Sequence, residues 1–305
     1  MTSEPAPGLS LEERTEPHGR TRFALAEQVS GRPVDVSSLT IDVIELSDGA
    51  GGIVRCGGIG NVETRPSHRR RGLAARLLDD AVEWMVARAL DGSLLYGIDD
   101  YYDRFGWRSC GDERWVRVSL ADMARLPAGP TDVKVRGYVA TDHPAMVELY
   151  AELARTMPGA ALRSSDGRAW ARLEPSEVRV AYRDGQLVGW TWRGLDGPPE
   201  HTSVAARERH AVVFSELQAV NDDVALALLH DACAWAVEQR EEPGREQLLV
   251  GAPEGHPLRA LARAGRIPAR LVDELRPTGG PMLRPFTDAA RALGTDLYQF
   301  LPDRF

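Results

Sequence analysis

The strongest constraint on the fold is a pattern that runs through one order of elements, breaks, and then starts again. Before the break, two apolar runs, Phe23–Val29 and Val34–Leu46, flank Ser30-Gly31-Arg32, which reads as a hairpin. Ile53–Val62 forms a third strand weakened by Gly57, Gly58 and Gly60, and helical spacing follows from Leu73 to about Leu90. Ser93–Ile98 is a short strand, Asp100–Phe105 a short helical stretch stopped by Gly106, and Trp115–Leu120 a further strand. The break is Leu126-Pro127-Ala128-Gly129-Pro130. After it come a strand at Val133–Val139, a helix at Asp142–Arg155, and a hairpin of Val178–Ala181 with Leu187–Trp192 turning at Asp184-Gly185. Ala211–Val220 leads into a helix capped by Asn221, then come a strand at Gln247–Val250, a helix at Pro257–Ala264, and a last hairpin turning at Thr278-Gly279-Gly280. Such a repeat predicts an α/β chain (α+β, mixed sheets) of two related units, 21–125 and 131–286. Residues 1–20, rich in Pro, Glu and Ser without periodicity, read as a solvated tail, and residues 287–305, which end apolar and aromatic, as a C-terminal tail expected to dock toward the active site.

The 305 residues are 43% hydrophobic and 27% charged, enough for a real core in each unit. With 37 Lys+Arg against 45 Asp+Glu the net charge is −8, which disfavours nucleic acid and favours a cationic small-molecule partner. No run is long and apolar enough to span a bilayer, and the first residues lack a signal peptide's basic and apolar regions, so a cytoplasmic setting without membrane contact is expected. Three cysteines at no ligand-like spacing, and seven histidines without HxxxH or HExxH, predict neither a disulfide framework nor a metal site.

The segment Val62-Glu63-Thr64-Arg65-Pro66-Ser67-His68-Arg69-Arg70-Arg71-Gly72-Leu73-Ala74 runs from a strand end into a helix start. A helix N-terminus offers unpaired N–H groups and the positive end of its dipole, and Gly72 lets a phosphate approach the backbone. Arg69, Arg70 and Arg71 add charge, so the segment reads as an anion cradle. Ser67 and His68, being adjacent, are not expected to face each other as nucleophile and base.

Here the sequence resembles the GCN5-related N-acetyltransferase (GNAT) superfamily, whose acyl-CoA loop Arg/Gln-x-x-Gly-x-Gly/Ala is matched by Arg69, Gly72 and Ala74. P-S-H-R-R-R-G-L (66–73), S-L-L-Y (93–96) and Y-Y-D-R-F-G-W (101–107) resemble the tandem-GNAT group named for enhanced intracellular survival, with the match covering about residues 20 to 120. The resemblance implies that the pantetheine arm of acetyl-CoA pairs with the backbones of Val62 and Thr64. It places the pyrophosphate on Arg69, Arg70, Gly72, Leu73 and Ala74, and makes Tyr102 the general acid. It also implies that the terminal carboxylate, here on Phe305, assists the base step, with Glu63, Asp99 and Asp100 as competing carboxylates. The second half carries Val220-Asn221-Asp222-Asp223 where the first has its arginines, so one acyl-CoA site per chain is expected.

Two departures limit what the resemblance implies. About 20 residues precede the first hairpin, fewer than a strand and two helices need, so the first unit is expected to be shortened and its acceptor site open or roofed by the second unit or a partner. The sterol-carrier-like third domain of the group is not expected either, and homo-oligomer formation is left open. The expected function is an acetyl-CoA-dependent N-acetyltransferase acting on an amine-bearing small molecule by direct transfer in a ternary complex, without a metal. The alternatives are a non-catalytic acyl-CoA or cationic-ligand binder on a degenerate GNAT, and O-acyl transfer or another acyl-CoA conversion.

Overall fold

A computed structural model describes residues 8–97, 99–111, 113–164, 168–193, 211–238, 246–274, 280–294 and 297. Its strands are β1 (Leu9–Thr15), β2 (Thr21–Val29), β3 (Arg32–Ser47), β4 (Ile53–Thr64), β5 (Gly92–Gly97), β6 (Arg108–Ser109), β7 (Glu113–Ser119), β8 (Val133–Gly137), β9 (Val178–Arg183), β10 (Gln186–Arg193), β11 (Ala211–Ala219), β12 (Gln247–Gly251), β13 (Ala269–Glu274) and β14 (Gly280–Pro285). The helices are α1 (Leu73–Ala87), α2 (Asp99–Tyr102), α3 (His143–Arg155), α4 (Arg168–Ala171), α5 (Asp222–Glu238), α6 (Pro257–Arg263) and α7 (Asp288–Ala292). They build two seven-stranded mixed sheets, ordered β1-β2-β3-β4-β5-β14-β6 and β13-β7-β12-β11-β10-β9-β8.

Each sheet repeats the other strand for strand, with one exchange between them. β7, from the first half, sits between β12 and β13 of the second sheet. β14, from the end of the chain, sits between β5 and β6 of the first. The boundary between residues 125 and 131 is therefore not where the sheets divide, and β13 and β14 do not form the expected hairpin; the turn residues Thr278 and Gly279 lie outside the described residues. Burial explains the exchange. β7 buries Val116 and Val118 in the second core and Trp115 against Leu249 on the opposite face, so it needs a covered, central place. β14 likewise sends Met282 into the first core and Leu283 into a second cluster across the sheet.

The expected tail is also corrected, because Leu9–Thr15 pairs antiparallel with β2, from Leu9↔Glu27 to Thr15↔Thr21. Leu9 is buried in the first core, and the Glu13 carboxylate accepts a 2.8 Å hydrogen bond from Trp84 Nε1 on α1. The charged residues between them suit an edge strand, where they discourage further pairing. The chain passes from β1 to β2 through a single 3₁₀ turn, Pro17–Gly19, so no helix stands between these strands.

That connection supplies no helix to the face opposite α1. In the second unit, α5 packs under β10 and β11 while α3 and Trp170 cover the opposite face over Trp190 and Trp192. In the first, α1 covers one face through Leu73, Leu77, Leu78, Ala81 and Met85. Gly57 is what allows it so close, since a Cβ there would lie 2.3 Å from the Met85 sulfur. On the opposite face of β2 and β3, Ala24, Ser38 and Thr40 are buried as well, and Arg172, just after α4, lies near enough to Asp42 of β3 to act on its charge. The other end of that face is covered by α7, Leu293 and Leu297, which pack on Leu46, Val54, Cys56 and Leu94. Residues 159–162, following α3, extend the sheet at the far end of β3: Ser47 N–H donates to Ala160 O (2.9 Å) and Leu162 N–H to Glu45 O (2.7 Å). Phe305 and its terminal carboxylate lie outside the described residues.

Candidate active site

The site is built where two parallel strands part. β4 and β5 pair from Cys56↔Gly92 to Ile59↔Leu95, and β4 then runs on to Thr64 without β5. A bulge causes the parting: the β3–β4 register slips between Thr40↔Gly60 and Ser38↔Glu63, and Asn61 adopts a left-handed φ of 51°. Asn and Gly tolerate that conformation best, and a bulge bends its strand away from its neighbour. Asn61 Nδ2 donates to Thr40 Oγ1 (3.2 Å), pinning the bulge. Sequence reading missed Asn61, although an Asn set among glycines in an apolar strand is a bulge signal.

Beyond the gap the chain curls through a 3₁₀ turn, Pro66–His68, into α1. Arg70 (φ 62°) and Gly72 (φ 75°) are both left-handed, and a Cβ on Gly72 would meet open space. The first α1 hydrogen bond runs from Arg76 N–H to Gly72 O (3.0 Å), which leaves the N–H groups of Leu73, Ala74 and Ala75 without helical acceptors. The Arg70 and Arg71 side chains are exposed and have no partner among the described residues, and Arg69 spends only its Nε, on Thr64 O (3.2 Å). Free N–H groups, a positive dipole end and open guanidiniums fit a pyrophosphate.

The turn is held from behind. Contrary to expectation, Ser67 Oγ lies 2.9 Å from His68 Nδ1, and His68 Nε2 lies 3.2 Å from Glu27 Oε2 on β2. The helix rule that separates adjacent side chains does not govern a 3₁₀ turn.

On the far side of the gap, α2 follows β5. Tyr102 lies against Gly97, where a Cβ would come 2.4 Å from its ring, and makes edge contacts with Tyr101 (4.9 Å) and Trp107 (6.3 Å). Burial, and secondarily Tyr101, pushes its hydroxyl up to about 12, so it keeps its proton at neutral pH. Tyr102 packs with the α1-side core, whereas Glu63 is paired with Ser38, which receives a hydrogen bond from Arg22, and so stands on the opposite face. The gap thus separates a phenol on one face from a carboxylate on the other. Val62 packs toward α1, and Thr64 Oγ1 is 2.8 Å from Ser37 Oγ. Asp100 is exposed, and the Asp99 side chain lies outside the described residues. Among the described residues no cluster of His, Cys, Asp or Glu could hold a metal, and no helix is long and apolar enough to cross a membrane.

The second unit closes every feature that the first leaves open. β11 and β12 also part, after Phe214↔Val250, but the buried His256 fills the gap. Its Nδ1 accepts from Leu258 N–H (3.1 Å), so Nε2 carries the hydrogen and donates to Leu217 O (2.7 Å). Asn221 Oδ1 caps α5 at Val224 N–H (3.0 Å), and Asp222 and Asp223 place two carboxylates in its first turn.

Comparison with known proteins agrees with this geometry. Residues 36–110 match the family model of the acetyltransferase (GNAT) domain. In fold the chain is similar to a GCN5-related N-acetyltransferase from Kribbella flavida, at 18% identity and TM-score 0.64, over 89% of this chain and 61% of that one. It is similar to another from Anabaena variabilis ATCC 29413, at 14% and 0.65, over 88% and 63%. It is also similar to Eis1 from Mycobacterium abscessus, at 17% and 0.60, over 88% and 65%. The chain spans less than two thirds of the length of each of these structures. No curated protein matches it. The match to the acetyltransferase (GNAT) domain thus lies in the first unit, and the chain has the fold of two tandem GNAT-like units.

Proposed function

We propose that the first unit transfers an acetyl group from acetyl-CoA directly to an amine, both substrates being bound together. The observation that carries this reading is the gap between β4 and β5, with a basic cradle at one end, Tyr102 on one face and Glu63 on the other. Acetyl-CoA supplies an activated thioester. Arg69, Arg70, Arg71, Gly72 and the N–H groups of Leu73 and Ala74 hold its pyrophosphate, and the backbones of Val62 and Thr64, free of β5, pair with its pantetheine arm.

An ammonium near pKa 10.4 lies about three units from its reactive form at pH 7, so the amine must give up a proton before or during attack. Glu63, on the face from which the amine arrives, accepts that proton directly or through water. The new C–N bond forms as the C–S bond breaks, and the departing sulfur takes the electron pair. Tyr102 presents its O–H to that sulfur as charge builds there. Because burial raises the phenol well above a thiol's usual 8.5, Tyr102 stabilises the sulfur chiefly as a hydrogen-bond donor.

The β1–β2 connection, a single 3₁₀ turn that contributes no helix to roof an acceptor, supports a second reading, an acyl-CoA binder that does not turn over. Release of free CoA from acetyl-CoA in the presence of an amine panel decides between them. Amine-dependent release, with a product heavier than the amine by one acetyl group, is expected; tight acetyl-CoA binding with no release from any amine or alcohol would leave the binder. Label on oxygen rather than nitrogen would instead identify O-acyl transfer.

A further inference from the structure

The net charge of the whole chain favours a cationic acceptor, but the cleft beside the gap is built otherwise. Beside the gap a cleft of about 990 Å³ opens along β3 and the end of β4, with Arg14, Arg22, Asp35, Glu63, Arg65 and Arg69 as its charged lining. Four guanidiniums and two carboxylates line it, and Glu12 and Glu16 bring two more carboxylates to its Arg14 and Arg22 end. Arg14 and Arg22 share Asp35 at 3.3 Å each, and Arg22 also donates to Ser38 Oγ (3.0 Å). At the rim, Glu12 holds Arg14, and Glu16 lies 3.8 Å from Arg22.

The two groups nearest the gap are left open. Neither the Glu63 carboxylate nor the Arg65 guanidinium has a partner among the described residues, and both are exposed. They stand two residues apart in extended chain (Arg65 φ −53°, ψ 140°), so they emerge on one side about 7 Å apart. Arg69 keeps its terminal nitrogens free on the same wall. A carboxylate at the reacting end and a fan of guanidiniums one strand-step beyond it is a site for both signs of charge. A polycation would meet Arg65 and Arg69, which no carboxylate among the described residues pairs, while a carboxylate or phosphate would meet guanidiniums that bind such groups through paired hydrogen bonds.

We propose that the acceptor is an amine carrying an acid group, carboxylate or phosphate, on the same molecule. Its ammonium lies at Glu63, and its acid lies on Arg65 and Arg22. The proposal rests on the acyl-transfer reading, so its test avoids turnover. The full chain, saturated with CoA, is titrated calorimetrically with pairs of amines that differ only in the acid: ethanolamine against phosphoethanolamine, butylamine against 4-aminobutyrate, with spermidine as the polycation. The acid-bearing member is expected to bind at least ten-fold more tightly, since a charge-assisted hydrogen bond contributes about ten- to hundred-fold. The phosphate and carboxylate arms show which acid the cleft prefers. Arg22→Ala and Arg65→Ala should each remove most of that preference, and Arg22→Ala should leave CoA affinity as in the wild type. Equal affinities within each pair, tighter binding of spermidine, or no binding by either acid-bearing amine would overturn the proposal. Failure of the acyl-transfer reading shows elsewhere, as absent CoA binding or absent CoA release with every amine.

Discussion

Tyr102 and His256 are two buried groups whose surroundings set opposite roles. Tyr102 is wedged on Gly97, and its ring contacts do not involve the hydroxyl, so Tyr102→Phe should keep the packing and remove only the O–H. Turnover should fall by about 10²–10⁴-fold with CoA affinity nearly unchanged, read from initial rates and a parallel titration. A variant with wild-type turnover would reduce Tyr102 to packing. His256 is bonded in a way that only a neutral imidazole permits, and burial pushes it down to about 4. Its folded value lies below its unfolded value near 6.5, so the unfolded chain takes up the proton first. The stability it contributes is present above pH 6.5 and drains away toward pH 4, by about 1.4 kcal/mol per pH unit. Asp42 and Asp80, whose carboxyls burial pushes up, act in the other direction, so the quantity to read is the difference between wild type and His256→Gln in denaturant midpoints from pH 7.5 to 4.5. Asp142, held down to about 2 chiefly by Arg136, and Glu254, held there chiefly by Arg263, lose their contributions only below that window. Identical pH slopes in the two proteins would show that His256 is not the sensitive group.

At the scale of single elements, the turn joining β4 to α1 does most to distinguish the first unit from the second. Gly72 combines a left-handed φ with open space, so Gly72→Asp adds strain, bulk and a negative charge where the pyrophosphate would rest. Calorimetric titration with acetyl-CoA should give one site per chain in the wild type and none in Gly72→Asp; two sites in the wild type would mean that the closed β11–β12 gap binds after all. This turn was readable from the sequence because arginines, a glycine and an amphipathic helix announce themselves locally, as does the hairpin at Ser30 and Gly31, both of which are left-handed. Features that depend on a distant partner were not. β1 looked like tail because only Leu9 and Leu11 interrupt its charges, and what orders it is β2 and Trp84. The glycines of β4 looked like room for a ligand, yet at Gly57 the close neighbour is Met85 of α1. The Ser67–His68–Glu27 chain was hidden because its third member lies on another strand.

The exchange of β7 and β14 makes the whole molecule the smallest folding unit. Each sheet misses an interior strand unless the other half of the chain supplies it. Without β14, β5 and β6 of the first sheet have no common neighbour, and Met282 leaves the core beside Trp107. Without β7, β13 loses its ladder and β12 keeps only β11, and Val116 and Val118 leave the second core. Interior strands cannot be given up at modest cost, since their loss exposes two rows of backbone groups and two apolar faces at once. Residues 1–125 and 126–305 expressed separately should therefore remain unfolded or aggregate, whereas co-expression should recover a soluble complex that binds acetyl-CoA. The intact chain should unfold in a single transition, with tryptophan fluorescence and far-UV circular dichroism coinciding in denaturant, because neither core can open while the other stays whole. If residues 1–125 alone melted cooperatively and bound acetyl-CoA, the exchanged strands would be an embellishment of two independent domains. If they do not, the second unit acts through structure, by completing the sheet whose parted strands form the site.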